Sequence, residues 1–120
     1  MDFPETVIVT GSRKWTRRAG IYQLLDALQP QRVVHGGANG VDAFAHAWCK
    51  KKGRISIVYF PDYSQGDGAP LRRNIKMLED WPSAVVLGVP LPESRGTWYT
   101  MKNAEDRGMK VINGTELLKS

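Results

Sequence analysis

An α/β fold, a parallel sheet covered by helices on both faces, is predicted by three features of this sequence. Short β-branched apolar runs alternate with segments of helical apolar spacing along the whole chain. The apolar runs are continuous rather than alternating, as expected of strands buried on both faces. The glycine-rich loops all follow strands, which gathers them on one edge of the sheet. In such sheets the crossovers are right-handed, and ligands bind beyond the carboxyl ends of the strands, near the switch point in strand order.

Each element has its own signal. Thr6 to Thr10 is a β-branched run ending in Gly11-Ser12, which reads as a buried strand and a turn. Arg13 to Gly20 is polar and reads as a loop or the first turn of a helix. Ile21, Leu24, Leu25 and Leu28 recur at helical spacing until Pro30. Arg32 to His35 is a second strand. Val41, Phe44, Ala45, Trp48 and Cys49 then form one apolar face of a helix reaching Lys52, with Gly53 as its stop. Ile55 to Phe60 is a third strand, closed by Pro61. Asp62 to Pro70 reads as an exposed loop. Leu71, Ile75 and Leu78 mark a third helix ending before Trp81-Pro82, and Ala84 to Val89 is a fourth strand. Pro90 to Arg95 is a loop, Gly96 to Arg107 a fourth helix stopped by Gly108, and Lys110 to Asn113 a fifth strand. Thr115 to Ser120 supplies one more helical turn. Five strands and intervening helices make a β-α-β-α-β-α-β-α-β order.

Composition narrows the function classes. The 120 residues suit one domain, 1–120, and the 42% hydrophobic content can fill one core. No apolar run approaches the roughly 20 residues of a membrane helix, so no membrane partner is expected. Met1 to Glu5 lacks the basic and then apolar pattern of a signal peptide, and a cytoplasmic location is the expectation. Cys49 is the single cysteine and lies on the apolar helix face, which reads as a small buried hydrophobe. The net charge is +5 and the pI about 9.6, which favours anionic partners, either nucleotides or nucleic acid. The Lys50-Lys51-Lys52 run ends a helix, where cations complement the dipole.

Four loops at the strand ends carry the polar residues that bear on function. In Gly11-Ser12-Arg13-Lys14-Trp15, the Ser12 hydroxyl and free backbone N–H groups suit a phosphate, and Arg13 can pair with it in a bidentate way. Taken alone, Gly11 is better read as a structural turn and Lys14 as a surface charge. Trp15 either stacks on a base or plugs the core. The second loop, His35 to Asp42, contains Gly36, Gly37 and Gly40, which permit a tight turn and close approach of a ligand. It is neither a Walker A loop nor a strict GxGxxG fingerprint. Asp42 lies in the first helical turn, where a carboxylate caps free N–H groups or accepts a ribose hydroxyl. His46 is one turn beyond on the same face, as a proton donor or as a local structural partner of Asp42. Neither His35 nor His46 has the companions of a metal site, and no metal or cofactor is expected.

The third element, Gly68 to Met77, leads into a helix whose first turns carry Arg72, Arg73 and Asn74. Arginines at a helix start oppose the dipole, and an anionic ligand would offset that cost. The fourth, Pro90 to Trp98, places Ser94, Gly96 and Thr97 at a helix start, as caps, as an anion cradle, or both.

Together, Gly11-Ser12-Arg13-x-Trp15, Gly36-Gly37-Ala38-x-Gly40-x-Asp42, Gly68-Ala69-Pro70-x-Arg72-x-Asn74-x-x-Met77 and Ser94-Arg95-Gly96-Thr97 resemble the small YspA/YpsA-related branch of the SLOG superfamily. The branch is common in bacteria and their phages. The resemblance runs from Val7 to about Val111. It implies a Rossmann-like three-layer sandwich with a five-stranded parallel sheet, and a nucleotide or nucleotide-derived ligand at the strand ends. The superfamily includes sensor domains and the Lonely Guy phosphoribohydrolases, which cleave the N-glycosidic bond of nucleoside monophosphates. Those enzymes resemble Pro-Gly-Gly-x-Gly-Thr-x-x-Glu in the fourth loop. Here Glu93-Ser94 replace the double glycine, and Thr100 stands at the glutamate position. A threonine cannot act as the carboxylate of that chemistry, although Glu93 or Glu105 is a potential substitute.

The second loop, with Ala45 and His46, also resembles the DNA-processing protein A family, which implies a single-stranded nucleic-acid partner. The leading expectation is a ligand-binding domain in which Arg13, Gly37 and Thr97 contact phosphate, Asp42 contacts ribose, and Arg72 and Asn74 close over the ligand. Relatives in the superfamily often pair, and Trp81 and Trp98 are the interface candidates for a homodimer.

Overall fold

The computed structural model describes residues 3–119, Gln65 by its backbone alone. Met1, Asp2 and Ser120, which belong to the expected N-terminal tail and last helical turn, lie outside them. The elements are β1 (Thr6–Gly11), α1 (Arg18–Leu28), β2 (Arg32–His35), α2 (Val41–Lys52), β3 (Ile55–Val58), α3 (Ala69–Asp80), β4 (Val85–Val89), α4 (Arg95–Asp106), β5 (Val111–Asn113) and α5 (Gly114–Leu118). A short 3-10 turn over Tyr63–Gln65 interrupts the loop before α3.

All five strands pair in parallel in the order β3-β2-β1-β4-β5. The central strands β1 and β4 are buried because their residues alternate between two cores. Val7, Val9, Leu87 and Val89 pack with Leu25 of α1 and Ala45 and Trp48 of α2. Ile8, Val34 and Val86 pack with Met77 and Leu78 of α3 and Ala104 of α4. The result is the expected Rossmann-like three-layer α/β sandwich. No helix among the described residues is long and apolar enough to cross a membrane.

Element boundaries shift for identifiable reasons. β3 ends at Val58 rather than Phe60; Tyr59 N still donates to His35 O at 2.8 Å, but Phe60 is exposed past the sheet. α3 begins at Ala69, with Pro70 inside its first turn, where its missing N–H costs nothing. Its buried stripe is Ala69, Arg73, Asn74, Met77 and Leu78, so Leu71 is half-exposed rather than core. Trp15 is a core residue: it packs among Ile21, Leu24 and Val89 and its indole N–H donates to Arg17 O at 2.8 Å. The base-stacking alternative for Trp15 is thereby set aside.

Cys49 is buried, and burial pushes its thiol up to about 11, with Arg54 acting in the opposite direction. A thiol reagent at pH 8 is therefore expected to label the protein only once denaturant opens the fold. Labelling of native protein at the denatured rate would contradict this packing.

Candidate ligand site at the strand ends

β1 and β4 are neighbours, but the chain leaves them for opposite faces of the sheet, towards α1 and α4. That switch point opens a cavity of about 340 Å³ above their carboxyl ends. Its size falls within the range of small-ligand pockets, at the lower end. Of the residues singled out in the sequence, Gly11, Ser12, Arg13, Asp42, Asn74, Ser94, Gly96 and Thr97 line it. Thr10, Lys14, Ala38, Arg73 and Glu93 line it as well.

Gly36, Gly37, Gly40 and Arg72 do not form its wall. The glycines admit protein rather than a ligand. A Cβ on Gly36 would collide with the Arg73 guanidinium, and one on Gly40 with the backbone of Ser12 and Arg13. Gly37 and Gly40 also have φ of +68° and +73°, which disfavour any side chain. One on Gly11 would come within 2.6 Å of Val41. Val41 N donates to Ser12 O at 3.2 Å, so the second loop and the first are pressed together at the edge of the cavity. Arg72 is exposed, with its guanidinium lying over Gly68.

Asp42 is the most constrained group in the site. It sits in the first turn of α2, yet its carboxyl turns back onto the loop instead of capping the helix. Oδ2 accepts from Gly36 N at 3.1 Å and Ala38 N at 3.3 Å. Oδ1 is buried and has no hydrogen-bond partner among the described residues. Burial raises the carboxyl to about 6, while the Ala38 and Gly36 amides and the Arg73 and Arg13 charges oppose the rise.

Arg73 is the residue that sequence reasoning underweighted. It is only 9% exposed. Nη1 donates to Gly36 O and to Tyr59 O (3.0 Å), and Nε donates to Pro70 O at 3.3 Å. Its bonds thus go to backbone carbonyls, and none of the ion pairs among the described residues includes it. A buried guanidinium whose main favourable charge partner is the Asp42 carboxyl adds positive potential to the cavity wall. The signal for it was present: Arg73 stands four residues from both Ala69 and Met77, on the buried stripe of α3.

The α4 side supplies the helix start. Ser94 does not cap it; its Oγ accepts from Leu91 N at 3.0 Å and closes the preceding turn. The N–H groups of the first turn, at Gly96 and Thr97, have no intrahelical acceptors. They open onto the cavity with a positive dipole end, the arrangement that binds anions. Thr100 is fully buried. Its hydroxyl donates to Gly96 O (2.8 Å) and accepts from Asn74 Nδ2 (2.9 Å), so it ties α4 to α3. The position that resembles the hydrolase glutamate is here a structural link.

The two histidines form a separate relay. Gly37 N donates to His35 Nδ1 at 3.0 Å, which leaves Nε2 as the protonated nitrogen facing Ser56 Oγ at 2.8 Å. Ser56 Oγ lies 2.8 Å from His46 Nδ1. His46 is thus partnered with Ser56 and not with Asp42. Burial, then the nearby His46 and Arg73, lower His35 to about 4, so it is neutral at physiological pH. Among the described residues no group of three or more His, Cys, Asp or Glu side chains is arranged to hold a metal ion.

Fold and cavity define an α/β domain of Rossmann-like topology with a polar site at its switch point. The sequence places it further. The model of the YspA, cpYpsA-related SLOG family (YAcAr) matches residues 5–66, and the chain belongs to that family. It is 34% identical over 118 residues to the Gene 61 protein of Mycobacterium phage D29, covering 89% of this chain and 94% of that protein. Among solved structures it is similar to DNA processing protein A from Streptococcus pneumoniae, with 16% identity and a TM-score of 0.47, over 98% of this chain. The chain spans 62% of the length of that structure.

Proposed function

We propose that the strand-end cavity binds a nucleotide or nucleotide-derived ligand, such as a nucleoside monophosphate or an ADP-ribose derivative, as a sensor or sequestering domain. The observation that carries this reading is one cavity wall that joins two kinds of chemistry. The first turn of α4 with Thr97, and Arg13, suit a phosphate. Asp42, on the same wall, brings a carboxyl of the kind that accepts sugar hydroxyls. Membership of the SLOG family agrees with a nucleotide-related role. Nucleoside monophosphates and ADP-ribose are expected to raise the melting temperature, and Arg13→Ala to weaken that response about tenfold or more in midpoint concentration. A full panel that shifts nothing would end this reading.

A second reading is favoured by one observation: Asp42, with its carboxyl near 6, and Glu93 share the cavity wall. Such a pair is compatible with N-glycosidic hydrolysis of a nucleoside monophosphate. Chromatography of free base decides it. Release that disappears in Asp42→Asn and Glu93→Gln supports turnover; no release from the common monophosphates leaves binding alone.

A further inference from the structure

We infer that the outer face of α1 and α2 binds the phosphate backbone of duplex nucleic acid without regard to sequence. This surface is separate from the strand-end cavity and does not depend on its ligand. Charge is divided unevenly along the chain. Residues 6–54, which form β1, α1, β2 and α2, hold nine Lys and Arg against two Asp and Glu, whereas residues 55–120 hold eight of each. The whole cationic excess therefore sits in the half that carries the α1/α2 layer. The two acids of that half are also withdrawn. Asp42 is buried, and Asp26 accepts from Trp48 Nε1 at 2.8 Å and pairs with Lys52 at 3.6 Å. Arg17, Arg18, Lys50 and Lys51 are exposed and belong to none of the ion pairs among the described residues. On the α3/α4 layer, by contrast, Lys76 and Lys102 are paired with Asp80 and Asp106.

The two helices bring cations together. Arg18 at the start of α1 and Lys51 near the end of α2 lie over one ring, that of Tyr22, at 5.8 and 5.7 Å from its centroid. Both line an open groove where α1 meets α2. Local stability does not account for the pattern. Cations at the end of α2 complement its dipole, but Arg17 and Arg18 stand at the N-terminus of α1, where the first turn holds no acid and positive charge opposes the dipole. A polyanion laid across the face offsets that cost. The chemistry of the face selects which one. None of the exposed large hydrophobic side chains among the described residues lies on α1 or α2. A membrane-surface helix needs an apolar face to insert, and a protein interface needs a charge-poor centre. Single-strand binders offer aromatic platforms to the bases, whereas Tyr22 is partly buried and overlaid by Arg18 and Lys51. What the face offers is cationic contact with phosphates, which carries no base information, and phosphates are densest on a duplex.

Fluorescence anisotropy of two labelled duplexes of unrelated sequence, and of their single strands, tests this. The duplexes should bind within about twofold of each other and more tightly than either single strand. With about four phosphates neutralised, log K should fall against log salt with a slope of about −3.5. Arg18→Glu with Lys51→Glu should weaken duplex binding at least tenfold at about 0.1 M salt. Lys76→Glu with Lys102→Glu removes the same net charge from the α3/α4 layer and should change binding by about threefold or less. All four side chains are exposed, so both double variants should fold, as thermal melts will show. The comparison of duplex with single strand on the unaltered protein stands without them. No duplex binding at about 0.05 M salt would overturn the assignment. So would equal loss in the two double variants, tighter binding of single strand than of duplex, or retention by phosphatidylserine vesicles without duplex binding.

Discussion

Arg73→Ala is expected to destabilise the protein by about 3 kcal/mol or more in urea unfolding, the largest effect of any single change at the site. The reasons are additive in kind. The buried Gly36 O and the half-buried Tyr59 O lose a charged donor. Pro70 O loses its bond from Nε. The truncated side chain leaves a void beneath Gly36, a glycine whose lack of a Cβ is explained by the guanidinium packed against it. Asp42 also loses one of the charges that oppose its protonation. Arg73→Lys keeps a cation but not the forked donors, so most of the loss persists. The exposed neighbour supplies the control: Arg72→Ala should change stability by about 0.5 kcal/mol or less. Equal effects of the two alanine variants would show that Arg73 does not hold the loop.

The second large effect concerns pH. Asp42 has a carboxyl raised from 3.8 to about 6 by burial. Between those values the folded state binds more protons than the unfolded state, so this group makes stability fall as pH rises from about 4 to 6. His35 is lowered from 6.5 to about 4, again by burial first. Over that interval the unfolded state binds more protons, so this group makes stability rise as pH rises from about 4 to 6.5. Each effect corresponds to about 3 kcal/mol over its full range. The two groups flank one glycine loop and oppose each other, so their joint contribution to the unaltered protein is nearly flat between about pH 4 and 6. Single variants separate them. In Asp42→Asn, stability should climb with pH by about 1.4 kcal/mol per unit across the His35 range. In His35→Asn, which retains an acceptor for Gly37 N–H, stability should fall with pH by a similar slope. Denaturant midpoints measured at half-unit steps read both, and slopes of the same sign in the two variants would refute the assignment.

The fold was legible because its signals are local. Val7 to Val9 and Val85 to Val89 are continuous apolar runs, and Ile21 to Leu28 and Val41 to Cys49 keep helical spacing, so alternation and parallel pairing followed. The strand-end position of the site followed from the same alternation, since Ser12 stands just past β1, and Asp42, Asn74 and Thr97 stand in the first two turns of the helices that follow β2, β3 and β4. What was not legible depends on which way a side chain turns. Asp42 has the spacing of a helix cap, but its carboxyl is drawn to Gly36 N and Ala38 N across the loop. Ser94 has the position of a cap, yet its hydroxyl goes to Leu91 N. Arg72 and Arg73 are chemically identical neighbours. What separates them is the stripe that α3 buries: the Leu71-Ile75-Leu78 spacing read from the sequence hides it, and the Ala69-Arg73-Met77 stripe carries the second inward to the cavity. The glycines of the second loop resembled a cradle for phosphate, and the structure gives them a different physical cause: Arg73 and the backbone of Ser12 and Arg13 occupy the space a side chain would need.

The central claim, that the strand-end cavity is a nucleotide site, is tested most directly by amide chemical-shift mapping on the labelled protein. On addition of the common nucleoside monophosphates and ADP-ribose, the amides of Ser12, Arg13, Ala38, Gly96 and Thr97 should move in a saturable way for at least one of them. The basic segment Lys50 to Arg54, far from the cavity wall, should stay still. Shifts confined to that segment, or no saturable shift at Gly96 and Thr97 with any of these ligands, would contradict the claim.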